Sequence, residues 1–244
     1  MVRLSVNLNK VATVRNARGG SVPSVLEAAQ VCLDAGVRGI TLHWREDERH
    51  IRRADVYEVA LLLGEQTSRI ELNIEGDPRP EWLELVEDVR PAQATLVPVR
   101  PGEITSEAGW SAATDPTVMS ETISTLRAQG SRVSVFVDPT LEAVRWANRM
   151  GADRVELYTE PYARAFVQGD AAARASFARY VAAAREAHAL GLGVNAGHDL
   201  DLANLVMFRE LPHLDEVSIG HALISRALFV GLDRVVREYL AVLG

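Results

Sequence analysis

Six histidines, at positions 43, 50, 188, 198, 213 and 221, are the first candidates for proton transfer in this 244-residue chain. Four of them, His43, His50, His198 and His221, stand just past short β-branched apolar runs. His188 and His213 fall on or beside helical stretches and read as surface residues. Polar residues of catalytic type gather at comparable places. Asn7, Asn9 and Lys10 close the first run, Arg45 follows His43, and Glu75 closes the third. Thr105 lies beyond the fourth, Asp138 ends the fifth, and Glu156 and Tyr158 sit in the sixth. Any one of these histidines alone would read as a packed, hydrogen-bonded imidazole. Four converging on one rim read as a shared site.

The runs that carry these residues span 3–8, 39–43, 70–75, 94–98, 132–137, 154–158, 193–196 and 216–219. Each is short and nearly continuous in apolar residues, as strands of a parallel sheet covered on both faces are. Helical stretches near 24–35, 54–66, 80–89, 115–129, 140–150, 170–190, 201–209 and 222–242 alternate with them. Gly36, Gly130, Gly151 and Gly191 punctuate the helix ends. Eight strand–helix units of roughly 30 residues consume the chain, so the expected fold is α/β, a single (β/α)8 TIM barrel over 1–244. A doubly wound sheet would want a glycine-rich turn after its first strand, and here that turn reads Asn9-Lys10-Val11-Ala12. In a barrel, active sites form at the C-terminal ends of the strands, where the histidines and carboxylates fall.

Composition narrows the class. With 48% hydrophobic and 24% charged residues the chain is neither disordered nor collagen-like. No apolar run approaches the roughly 20 residues of a membrane span, and the first residues lack the pattern of a signal peptide. A net charge of −7 argues against nucleic acid as a partner. The one cysteine, Cys32, excludes an intramolecular disulfide and a cysteine-rich zinc site, and suggests a cytoplasmic setting. Of 26 basic residues one is a lysine, Lys10, and the rest are arginines. Lys10 is either a compositional survivor or a position where an amine is needed.

Several features suit an anionic ligand. The loop from Arg45 to Arg53 is dense in charge, which fits a solvated face and equally a phosphate clamp with Arg45 and His50 at its ends. The stretch from Arg15 to Gly20 has paired glycines suited to a mobile loop closing over a ligand. Gly197-His198 and Gly220-His221-Ala222 offer small residues where barrels hold phosphate on backbone N–H groups. Asn7 and Glu156 alternate along their strands in a way that lets both face the barrel lumen, where they would need partners. Asp138-Pro139-Thr140 reads as a helix N-cap.

The blocks Ser5–Gly19, Gly39–Asp47 with Arg49-His50-Ile51, Asn73-Ile74-Glu75, Leu96-Val97-Pro98, Val194–His198 and Ile219–Ala222 run in order along the chain. Together they resemble the pyridoxine 5′-phosphate synthase family. The resemblance implies a (β/α)8 barrel assembled into octamers. It implies condensation of 1-deoxy-D-xylulose 5-phosphate with 3-amino-2-oxopropyl phosphate, giving pyridoxine 5′-phosphate, inorganic phosphate and water, with no metal or organic cofactor. It gives His43 and Glu75 as bases, His198 as proton donor and Glu156 as a supporting carboxylate. Asn7, Arg18, the backbone of Asp199, Gly220 and His221 would hold the amino-ketone phosphate. Asn9, Lys10, Arg45, His50 and Thr105 would hold the deoxyxylulose phosphate.

The chain departs from the family pattern at four places. Asn9-Lys10 replaces an Asp-His pair, Asp199 replaces a glycine, and Tyr158 stands where a histidine is common. Glu75 aligns only with a short insertion before the third strand; without it Asn73 would take the catalytic place. Lys10 could contact a phosphate, bind the sugar's hydroxyls and carbonyl, form a Schiff base, or be structural. Asp199 is expected to turn away and cap the next helix. Two other readings stand beside the synthase: an aldolase-like paralogue working through Lys10 on another phosphorylated ketone, and a non-catalytic phosphosugar-binding protein.

Overall fold

In a computed structural model, which describes residues 2–64, 70–99 and 108–244, the eight expected strands form one closed parallel barrel. They are β1 (Arg3–Asn7), β2 (Gly39–His43), β3 (Glu71–Gly76), β4 (Gln93–Leu96), β5 (Arg132–Val137), β6 (Arg154–Leu157), β7 (Gly193–Ala196) and β8 (Leu214–Ile219). Each pairs with its sequence neighbour, and β1 closes the ring against β8 through Arg3↔Glu216 to Val6↔Ile219. A closed ring leaves no strand edge exposed.

The helices around the described barrel are α1 (Asn9–Arg18), α2 (Val25–Asp34), α3 (Arg53–Gly64), α4 (Pro80–Val89), α5 (Pro116–Ala128), α6 (Leu141–Arg149), α7 (Glu160–Val167), α8 (Asp170–Ala189), α9 (Leu205–Phe208), α10 (His221–Val230) and α11 (Leu232–Leu243). Alternation along the strands builds two interiors. Val6, Ile40, Leu42, Ile74, Leu96, Val135 and Val155 are buried in the layer between barrel and helices. The alternate residues meet inside the barrel, where they are polar. Ser5 and Thr41 share a hydroxyl hydrogen bond of 2.7 Å, and Thr95 donates to Asn73 Oδ1 at 2.8 Å. Asn195 Nδ2 donates to Gln93 Oε1 at 3.3 Å.

Four expectations need correction. Residues 9–18, of which 15–18 were read as part of a loop, form α1, because Val11, Ala12 and Arg15 share one buried face; Gly19, at φ 75°, ends the helix. The 222–242 stretch is two helices, broken at Gly231 (φ 89°). The 201–209 stretch shortens to α9, because Asp201 Oδ1 accepts from the N–H groups of Ala203 and Asn204 and holds a turn there. Asp138 does not cap α6: the Thr140 hydroxyl accepts from Ala143 N–H, while Asp138 Oδ1 accepts from Gly109 N–H. Helix α7, opened by Pro161, lies where no element was expected. No helix among the described residues is long and apolar enough to cross a membrane.

Candidate active site

Strand register brings the chemistry together. In the β2–β3 pairing His43 lies opposite Glu75, so both side chains emerge at the same level of the barrel mouth. Asn73, the rival to Glu75, sits two residues deeper and is tied to Thr41 and Thr95. Glu75 therefore occupies the mouth and Asn73 the wall beneath it. His43 Nδ1 and Glu75 Oε2 are 3.7 Å apart. A chain of short contacts fixes this pair from β1. Asn7 Nδ2 donates to Glu75 Oε2 at 3.3 Å, Asn7 Oδ1 accepts from Asn9 N–H at 3.0 Å, and Asn9 Oδ1 accepts from His43 N–H at 2.9 Å.

These residues open into a cavity of about 310 Å³. Its walls also include Lys10, Arg45, His50, Glu156, His198, Asp199, Gly220 and His221. One expected residue is not in it. Arg18 is exposed on the last turn of α1, and Thr105 lies outside the described residues.

Burial sets the protonation states. It pushes Glu75 up to about 7, against the opposing hydrogen bond from Asn7. Glu156 is raised well above the usual carboxylate range by burial and by the nearby Glu75 charge, and its Oε2 has no hydrogen-bond partner among the described residues. His43 is held well below 6.5 by burial and by His50, Arg45 and Arg79. The 3.7 Å pair is therefore a neutral imidazole beside a carboxyl group poised to exchange its proton near neutrality, not an ion pair.

His50 is lowered to about 4, by burial first and then by Arg45 and Lys10. Its Nδ1 accepts from Ile51 N–H at 2.9 Å, which leaves the proton on Nε2, available to donate into the cavity. His198 is lowered by burial and by Lys10, with Asp199, 3.9 Å from its Nε2, acting in the other direction.

The turn after β7 shows why its residues are small or strained. A Cβ at Gly197 would collide with the Ser218 carbonyl oxygen. Asp199 adopts φ 62°, the left-handed region that glycine fills at no steric cost and Asp tolerates. Its side chain does not cap a helix as expected, since Asp201 and Asn204 organise the following turn. Gly220 is the N-cap of α10, whose first residue is His221.

Some contributors were given other roles, or none, from sequence. Arg15 is buried in a two-pronged ion pair with Asp55 and donates to the His50 carbonyl at 3.2 Å. Asn16 Nδ2 donates to the same carbonyl at 2.7 Å. The two residues fasten the His50 loop to α1. Phe136, Val97 and Tyr158 form an apolar wall, with the Tyr158 and Phe136 rings 5.7 and 6.2 Å from His198. The alternation Arg132, Ser134, Phe136 along β5 was the signal for Phe136. Arg15 left none, because a cation on a helix gives no hint of a distant Asp55.

The chain is similar to known proteins in shape and in sequence. Solved barrels superpose over the whole chain at low identity: a 3-hexulose-6-phosphate synthase with TM-score 0.64 and 12% identity, covering all of both chains. The phosphoribosyl anthranilate isomerase of Thermotoga maritima gives TM-score 0.61 and 11% identity over 100% of this chain and 98% of that one. These show the fold. Sequence relatives are much nearer. The pyridoxine 5′-phosphate synthase of Bacteroides fragilis (strain YCH46) is 54% identical over 240 residues, covering 98% of each chain. That of Porphyromonas gingivalis is 51% identical over the same span, and that of Leptospira biflexa 47% identical over 254 residues, covering 100% of this chain and 98% of its own. The family described as "Pyridoxal phosphate biosynthesis protein PdxJ" matches residues 4–244. The chain belongs to the PdxJ family of pyridoxal phosphate biosynthesis proteins.

Proposed function

We propose that this enzyme condenses 1-deoxy-D-xylulose 5-phosphate with 3-amino-2-oxopropyl phosphate to pyridoxine 5′-phosphate, releasing phosphate and water. The observation that carries the reading is the buried Glu75–His43 pair at the mouth of the barrel, with Glu75 pushed up to about 7. Ring closure requires imine formation, loss of phosphate and water, and a new carbon–carbon bond. Each step moves protons, and a group that titrates near neutrality can both take and return one.

Glu75 is the base for carbon acids, and neutral His43 serves beside it. Glu156, kept protonated, stands as a supporting acid facing the same cavity. His198 donates after gaining a proton: phosphate anions entering the cavity favour its imidazolium form. Lys10, Arg45, Asn9 and the His50 Nε2–H form one anion cradle. Asn7, the Asp199 backbone, Gly220 and the N-terminus of α10 with His221 form the other. Arg18 lies apart from both, so its role in phosphate binding would require movement of the last turn of α1. Two phosphate handles supply remote binding energy that orients the reacting ends. The relatives' shared name and the intact acid–base set leave the aldolase-like and non-catalytic readings without a supporting observation.

The proposed setting is the cytoplasm, with the chain assembled into octamers. Leu228 and Phe229 on α10, 71% and 89% exposed, are apolar side chains that assembly would cover. Mixing both substrates with the purified protein should release pyridoxine 5′-phosphate and phosphate in equal amounts. Absence of product, where a Bacteroides relative assayed alongside makes it, rules the reading out. Light scattering on the same preparation reads the assembly state.

A further inference from the structure

The solitary lysine of this chain stands in the cavity, and its amine has a chemistry that neither cradle needs. A phosphate can be held by arginine or by backbone N–H groups, and every other basic residue here is an arginine. Lys10 occupies the first turn of α1, half-buried, on the cavity wall with His50 and His198. Among the described residues no carboxylate pairs with it. The Lys10 charge disfavours protonation of both imidazoles. His50 has its Nδ1 committed to Ile51 N–H and its Nε2 to a proton, so His198 is the neighbour to which the amine's proton can pass.

The product of the proposed reaction is a phosphorylated pyridine alcohol. The family's name is that of the corresponding phosphorylated pyridine aldehyde, pyridoxal phosphate. The two differ by oxidation of one ring substituent, so a cavity that fits the alcohol also fits the aldehyde. A primary amine then faces an aldehyde inside a site shaped for its ring and phosphate.

We infer that Lys10 is a reversible capture site for the phosphorylated pyridine aldehyde, which closes the cavity when that end product accumulates. This inference rests on the functional reading above and extends it to regulation of the same site. The ammonium of Lys10 gives its proton to the neutral imidazole of His198. The freed Nζ lone pair attacks the aldehyde carbon, and the carbonyl π pair moves to oxygen to give a carbinolamine. Loss of that oxygen as water, with the imidazolium returning its proton to it, leaves the protonated imine –CH=NH⁺–Lys10. One ammonium and one aldehyde give one protonated imine and one water, with no change in oxidation state. Hydrolysis reverses it when the free aldehyde falls.

The test uses the full-length protein with pyridoxal 5′-phosphate as probe, followed by borohydride reduction and peptide mass analysis. The expected result is one phosphopyridoxyl group on the peptide containing Lys10, suppressed by excess pyridoxine 5′-phosphate. Turnover should fall at least about tenfold, recover on dilution before reduction, and stay lost after it. In Lys10→Gln, confirmed as folded by its circular dichroism, the Lys10 adduct should vanish. A label confined to the N-terminal amine overturns the inference. So does labelling of Lys10 that pyridoxine 5′-phosphate fails to suppress, since that is simple surface reactivity. If the untreated protein makes product but Lys10 takes no label, the capture site fails and the synthase reading stands. If Lys10 is labelled and protected but the untreated protein makes no product, the synthase reading fails instead.

Discussion

Glu71 and Glu75 lie on the same strand, on the same face, four residues apart, and their environments push them in opposite directions. At the N-terminal end of the barrel Glu71 accepts from Arg3 Nη1 at 2.6 Å and from Arg132 Nη2 at 2.5 Å. Burial alone would raise it, but these hydrogen bonds and charges outweigh burial and hold it below the usual range. Glu75, at the mouth, has no guanidinium partner among the described residues, where the Asn7 amide at 3.3 Å is its hydrogen bond, and burial carries it up to about 7. The neighbours repeat the contrast: Arg154 pairs with Asp215 at 3.1 Å below, while Glu156 above is driven toward its protonated form. One end of the barrel uses carboxylates to neutralise cations and hold register. The other isolates them from cations, and burial raises both above the usual carboxylate range. Conservation of charge type therefore says little by itself, and the partner decides the role.

The sharpest way to break this comparison is to remove the ionisable group at the mouth. Glu75→Gln is expected to lower turnover by about 10²–10⁴, the range for a lost general base, while calorimetry still detects binding of a phosphorylated substrate. Full activity would place the base elsewhere. The wild-type pH profile carries the same information. The base must be unprotonated, so kcat/KM for the wild type should rise through about pH 7 on its acid side. Stability runs the other way. A carboxyl raised from 4.5 to about 7 on folding stabilises the native state below the lower value and loses that contribution as pH climbs through the higher one. Glu75→Gln should therefore gain in stability relative to the wild type as pH rises across that window, by up to about 3 kcal/mol at 1.36 kcal/mol per unit, read from denaturant unfolding at each pH. A gap that stays constant with pH would show that Glu75 titrates normally.

Glu71→Gln tests the other end. It leaves Arg3 and Arg132 partly buried without their shared carboxylate. The expected loss is about 1–2 kcal/mol of stability, since Glu71 is a quarter exposed and water screens part of the effect. Activity per folded molecule should stay within about twofold, because the residue touches neither the cavity nor its hydrogen-bond chain. Loss of turnover without loss of stability would erase the division between the two ends.

Much of this division was legible in the sequence, for identifiable reasons. Most strands are compact apolar runs with a polar residue of catalytic type in them or just beyond, so the strand positions and His43, Glu75, Glu156 and His198 could be read before any coordinates. What sequence could not carry was pairing at a distance. Nothing in the neighbourhood of Arg15 points to Asp55, 40 positions away. The alternation inside the barrel was partly masked because Ser5, Thr41, Asn73 and Thr95 satisfy one another across strands and so tolerate burial. Helix α1 was read partly as loop for a related reason: its polar residues spend themselves on tying down the His50 loop, and only three positions face the core. Asp199 failed as a cap because its backbone, at φ 62°, is outside the extended region that an N-cap takes, and the Asp201 and Asn204 side chains organise the turn that follows.

Asp199 also gives the finest test of how the mouth handles charge, since it is a carboxylate set beside a proposed phosphate site. Its side chain, 37% exposed, lies 3.9 Å from His198 Nε2 and raises that imidazole while facing anions that its charge opposes. Asn has nearly the same shape and accepts the left-handed backbone equally well, so Asp199→Asn removes the charge with the turn intact. Two effects of opposite sign follow. Loss of repulsion should lower KM for the phosphorylated amino-ketone by about twofold to fivefold, the size of a half-solvated charge interaction. Loss of the favourable field should make the His198 imidazolium harder to form, moving the basic limb of kcat toward lower pH. A KM that rises instead would mean that the Asp199 carboxylate itself holds substrate, through the amine of the amino-ketone. The mouth would then contain one carboxylate that acts as Glu71 does, by pairing with a cation.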